Sequence, residues 1–137
     1  MNHSKQILNE RIGRSGLTQL SVEELFRSHS LLIEILTEKV NSLDSNNLTE
    51  RELEKEIRPL IDLLRETLSR RYSGLSILAF AEILVGLDHF IRVNDEIPDT
   101  KIGGYRDDLA AIRKVSFEFR PEFDRFQAWK KQMMPTE

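Results

Sequence analysis

The densest group of chemistry-bearing side chains lies between Asp95 and Asp108, where Asp95, Asp99, Asp107 and Asp108, with Glu96, surround Pro98 and the Gly103-Gly104 pair. Hard divalent cations take oxygen ligands, so a segment that turns back on itself could gather the four aspartates around Mg²⁺ or Ca²⁺. The spacing is not that of the helix-loop-helix calcium motif. The same residues also have a structural use. Asp107 and Asp108 fall in the first turn expected for a helix, where the positive end of the dipole favours carboxylates, and Asp95 or Asp99 can close turns by accepting from backbone N–H groups. The structural use is the commoner fate of such residues, and the cation site is the sharper alternative.

Glu82 and His89, seven residues apart with Gly86 between them, share one face of an expected helix. A carboxylate and an imidazole beside a small residue could border a pocket for acid–base work, although a hydrogen-bonded polar pair or a solvent-facing stripe accounts for them more simply. His29 interrupts an apolar seam, where it could serve as a pH-sensitive interface residue or as a hydrogen-bonded core histidine. With His3 near the N-terminus, no two histidines have the spacing of zinc ligands, and the chain contains no cysteine. Trp129 and Phe126 are the aromatic candidates for an interface, since large aromatics anchor protein contacts, while Phe119, Phe123 and Phe126 equally suit a bundle core. Serine nucleophile elbows, phosphate-binding glycine loops and dinucleotide fingerprints are absent. The chain is therefore expected to have no cofactor beyond a possible Mg²⁺ or Ca²⁺ ion, and to be more readily a binding protein than an enzyme.

These residues must be held by helices. Ser21 and Glu24 form a capping box, with Leu20 and Leu25 as the staple, and the apolar positions Val22, Phe26, Ile33, Leu36, Val40 and Leu43 predict one helix over 22–43. Thr49 and Glu52, flanked by Leu48 and Leu53, repeat the same entrance, and Leu53, Ile57, Leu60, Leu64 and Leu68 carry the seam onward. Two helices of roughly 33 Å each, joined by the turn Asp44-Ser45-Asn46-Asn47, fold back as an antiparallel hairpin. Pro59 predicts a kink or a restart within the second of them. Leu75 to Ile91 is apolar on nearly every side and predicts a buried central helix. A helix from Tyr105 to Phe119 and a last one opening at Pro121 complete an all-α bundle of four to five main helices. Residues 1–20 read as a short or frayed helix, and 21–134 as a single helical domain.

At the acidic segment the chain resembles the YkvA-like family of small helical proteins of uncharacterised function. The resemblance is carried by Asp95, Ile97, Pro98, Asp99, Gly104, Tyr105, Asp107, Asp108 and Leu109, and covers about residues 75 to 119. It implies a shared helix-loop-helix core and implies no reaction. Between Asp99 and Gly104 this chain has Thr100-Lys101-Ile102-Gly103, where family members usually have an apolar, proline-containing stretch.

The 137 residues suit one ordinary domain, and 31% charged against 39% hydrophobic residues suits a globular one. No window approaches the run of about eighteen apolar residues that a membrane span needs, and the N-terminus lacks the apolar core of a secretory signal, so a soluble, cytoplasmic protein is expected. A net charge of −3 with interspersed signs offers no footprint for nucleic acid. Seams this rich leave apolar area for a second copy or another protein. The expectation is a non-enzymatic protein-interaction or self-association module, most simply a homodimer, with the first hairpin or the Trp129 helix at the contact.

Overall fold

The computed structural model describes residue 10, residues 16–91 and residues 105–133. Among them are six α-helices: α1 (Val22–Arg27), α2 (His29–Asn41), α3 (Leu48–Leu68), α4 (Ile77–Ile91), α5 (Arg106–Glu118) and α6 (Arg120–Met133), preceded by a 3₁₀ turn at Leu17–Gln19. The described chain contains no strand, and the all-α bundle expected from the apolar periodicity is what forms.

The first predicted helix is two. Its entrance is as expected: Ser21 Oγ accepts from the Glu24 N–H at 3.1 Å and Glu24 Oε1 accepts from the Ser21 N–H at 2.9 Å. The helix then breaks at Ser28, whose backbone opens to φ −107°, ψ 21°. His29 holds the break through a bond between its Nδ1 and the Phe26 carbonyl at 2.9 Å, and because a carbonyl only accepts, Nδ1 carries the proton. The break rotates the buried stripe. Leu32, Ile33, Ile35, Leu36 and Val40 of α2 are buried, whereas Val22, expected on the seam, is 61% exposed.

The second entrance is displaced by two residues. Asn47, a stronger cap than Thr49, accepts from the Glu50 N–H at 3.0 Å, and Glu50 reaches back to the Asp44 N–H at 2.7 Å. Leu48 consequently stands in solvent, and no staple forms from it. α3 folds back on α2, with Arg58 donating to Asn41 across the hairpin at 2.9 Å. It also runs through Pro59 without restarting. Both Pro59 and Lys55, whose carbonyl the proline leaves unmatched, lie on the exposed side, where water can replace the lost bond.

α3 ends in a Schellman turn: the Arg71 N–H bonds the Glu66 carbonyl at 3.0 Å and the Arg70 N–H bonds the Thr67 carbonyl at 3.1 Å. The left-handed position, usually glycine, is Arg70 at φ 69°. Its guanidinium lies 4.5 Å from the centre of the Phe26 ring, so an attraction between cation and aromatic face offsets the backbone strain. The adjacent Arg71 bonds the buried Glu66 carboxylate at 2.7 Å.

α4 is positioned from both sequence directions. At its start Ser76 Oγ accepts from the Ala79 N–H, while Glu122 of α6 accepts from the Ser76 N–H at 2.8 Å and the Ser76 hydroxyl at 2.7 Å. A carboxylate 46 residues away thus does the work that residue N3 does in a local capping box. Near its end the buried Asp88 accepts from the Leu17 N–H of the 3₁₀ turn. Gly86 lets α5 approach: a Cβ there would meet Ile112 Cδ1 at 3.3 Å. α6 packs Phe126 and Trp129 around Tyr72, with ring centres 5.1 and 5.0 Å from it. Charged side chains fasten the outer helices to α3. Arg113 reaches Glu52 at 3.0 Å and Lys130 reaches Asp62 at 2.7 Å.

Candidate functional site

The residues proposed from sequence do not converge on one place. Asp95 and Asp99 lie outside the described residues. Asp107 and Asp108 occupy the first turn of α5 as expected, Asp107 exposed and Asp108 buried, so the two adjacent carboxylates point to different environments. Among the described residues no group of three or more histidine, cysteine, aspartate or glutamate side chains could hold a metal ion.

Glu82 is half-buried and His89 exposed on α4. Gly86, expected to open a pocket between them, faces Ile112 and Val115 of α5 instead, so its missing side chain serves helix packing and not a cavity. Phe126 is 1% exposed; it belongs to the core and presents no surface to a partner, which corrects its placement at an interface. Trp129 is half-buried against Tyr72 and Phe126, stacked on the latter at 5.8 Å. His29, also half-buried, is occupied in holding the α1–α2 break.

A shallow groove of about 250 Å³ that the sequence did not signal lies between α3, α5 and α6, floored by Pro59, Leu60 and Phe123 and rimmed by Glu56, Arg120 and Asp124. It has no histidine and no cysteine in its lining, and Arg113 already engages Glu56. A mixed-sign rim over a small apolar floor offers no convergent set of groups for a reaction.

The more informative surface is on α4. The helix buries Ala79, Ile83, Leu84, Gly86, Leu87, Phe90 and Ile91, but Ile77 is 87%, Leu78 62% and Val85 45% exposed. At about 100° per residue these three, with exposed Ala81, fall in one sector, and the buried Asp88 falls in the same sector one to two turns further on, where the 3₁₀ turn bonds it. The central helix is therefore buried along one side and open along the other from Ile77 to Val85, beyond which Asp88 is covered. Near-uniform hydrophobicity concealed this from sequence reading, because a helix apolar all round carries no phase from which to tell the two sides apart. No helix among the described residues is long and apolar enough to cross a membrane. Compared with models of protein families, with curated proteins and with solved structures, the chain matches none.

Proposed function

We propose that this chain is a non-enzymatic protein-interaction module that docks through the open side of α4. The observation that carries the reading is the exposure of Ile77, Leu78 and Val85 on a helix otherwise committed to the core. Single exposed apolar residues are ordinary, and Val22, Leu48, Phe117 and Met133 are such residues, each on a different helix. A strip of three on one helix face, with Ala81 between them, is a different matter: it is a contiguous apolar patch of the kind that marks contact sites. Its flat, ridge-like form suits a helix or another flat partner surface, and it offers no concavity that would enclose a small molecule. The test is sedimentation velocity and light scattering at high micromolar concentration. A mass near twice the 16.0 kDa chain, reduced to 16.0 kDa by Leu78→Asp with helical circular dichroism retained, is the expected result. A mass that stays at 16.0 kDa at every concentration would remove self-association, the simplest form of the reading.

A further inference from the structure

We infer that the open strip of α4 has an occupant within the chain itself: the segment of residues 1–15, laid along α4 with Leu8 and Ile12 against Ala81 and Val85, which a docking partner must displace. This rests on the interaction reading above and adds to it the regulation of the same surface.

The continuous described chain begins beside the strip. The Leu17 N–H bonds Asp88, which lies in the same sector of α4 as Ile77, Ala81 and Val85. Along the helix axis Val85 is about 4.5 Å and Ala81 about 10.5 Å from the level of Asp88. Gly16, buried and at φ 90°, completes this anchor. The five residues from Leu17 back to Ile12 span at most about 17 Å when extended, so Ile12 is within reach of the whole strip. Fifteen residues precede Gly16, and of these Glu10 is the described one, helical and exposed. In a helix through Glu10, Leu8 and Ile12 share one face and Glu10 falls about 180° away from it. An exposed Glu10 is what a segment with its Leu8–Ile12 side turned inward requires. Lys5 and Arg11 border that face, one on each flank.

The strip matches this segment in spacing and in charge. Ala81 and Val85 repeat the four-residue step of Leu8 and Ile12, and Ala81 is small enough to let a second helix approach within the usual 8–10 Å or so. The border of the strip toward α5 is acidic. Gly86 faces Ile112 and Val115 of α5 while the earlier Ser76 bonds the later Glu122, so the two directions oppose and Glu82 comes level with Glu118. Glu82 is half-buried and Glu118 exposed, neither carboxylate is paired among the described residues, and Lys114 is the cation at the far end of this border. The segment brings the opposite sign: Lys5, Arg11 and Arg14 against Glu10 give its side chains a net charge of +2. Because its end is fixed at Asp88, it runs parallel to α4, and with Leu8 and Ile12 inward this orientation turns the Arg11 flank toward Glu82 and Glu118.

Two measurements on the full chain test the cover, with circular dichroism verifying that each variant is folded. The chain has no cysteine, so Leu8→Cys combined with Ala81→Cys places two thiols face to face, and a disulfide needs Cα atoms within about 7 Å. Mild oxidation at low micromolar concentration should join them within one chain, at a rate independent of protein concentration. Leu8→Cys with Lys55→Cys, on the exposed side of α3, should link far more slowly. Covalent dimers in place of the internal link, or equal rates for the two pairs, overturn the inference and leave the interaction reading standing. In the second measurement Ile12→Asp lifts the cover. A cover closed about nine-tenths of the time weakens binding about tenfold for each strip that must open, so two copies of this variant should associate about a hundredfold more tightly in sedimentation. Arg11→Glu should act in the same direction, and Glu82→Lys added to Arg11→Glu should reverse it. Association that Ile12→Asp and Arg11→Glu leave unchanged or weaken overturns the cover. A chain monomeric in every variant overturns the regulation together with self-association, even where the internal link forms.

Discussion

Removing the Glu122 carboxylate should loosen the start of α4 and lower the stability of the whole bundle. Glu122 accepts two bonds from Ser76, at 2.8 and 2.7 Å, and Ser76 in turn caps α4 through its hydroxyl. Loss of a cap costs about 1 kcal/mol, and a bond to a charged acceptor contributes about 1.5–3 kcal/mol when buried. Ser76 is exposed and Glu122 half-buried, so water recovers much of the latter. The net expectation for Glu122→Ala is about 1.5–2.5 kcal/mol, or a fall of roughly 5–10 °C in melting temperature for a chain of this size. Glu122→Gln, which keeps one acceptor oxygen, should cost about half as much. Urea unfolding of Glu122→Ala, Ser76→Ala and the double variant gives the coupling between the two residues directly. If the single effects simply add, the contact does not act as a cap, and the account of how α4 is positioned is wrong.

Arg70→Gly should be close to neutral, because about 1 kcal/mol of left-handed strain is relieved while a contact of similar size with Phe26 is lost; in a Phe26→Leu background the same change should stabilise, as denaturant midpoints will reveal. Gly74→Ala should destabilise by about 1–3 kcal/mol and alter tryptophan fluorescence, since its Cβ would lie 2.6 Å from the Tyr72 hydroxyl and 2.8 Å from its ring carbon, with that ring held by Phe126 and Trp129. Asp107→Ala should cost about 0.3–1 kcal/mol through the α5 dipole, and Mg²⁺ or Ca²⁺ should leave the melting temperature unmoved; a rise abolished by Asp107→Ala would instead make the acidic segment a cation site.

Where a structural element follows from local chemistry, it could be read from the residues. The Ser21–Glu24 box, the α2–α3 hairpin and the core placement of Phe119 follow from periodicity and from side chains bonding their own neighbours. What could not be read depends on competition or on distance. Asn47 outcompetes Thr49 as a cap because Glu50 can reach the Asp44 N–H, an arrangement invisible in the four-residue pattern. Ser28 and His29 sit in a sequence with acceptable helical spacing, and the break between them appears only when α2 rotates its stripe onto the core. The Ser76–Glu122 and Leu17–Asp88 contacts join residues far apart in the chain, for which a single sequence contains no signal. At the candidate site the residue types Glu82 and His89 were visible, but their surroundings were not: Gly86 turned out to serve packing, and the open strip of Ile77, Leu78 and Val85 was masked by the hydrophobicity of its own helix.

The two carboxylate ties on α4 also bear on the order of assembly. Asp88 bonds a segment 71 residues before it, already made when it emerges, whereas Ser76 waits for one 46 residues after it. During synthesis the α2–α3 hairpin can close as soon as it has emerged, since its partners are adjacent, whereas α4 can be fastened at its first turn only when α6 has been made. Until then the helix with the most apolar surface is the one least restrained. The ends of the described chain thus meet, in effect, on a single helix. A change near either Leu17 or Glu122 would register first as opening of α4, and amide hydrogen exchange along Ile77–Ile91 would report damage at either contact.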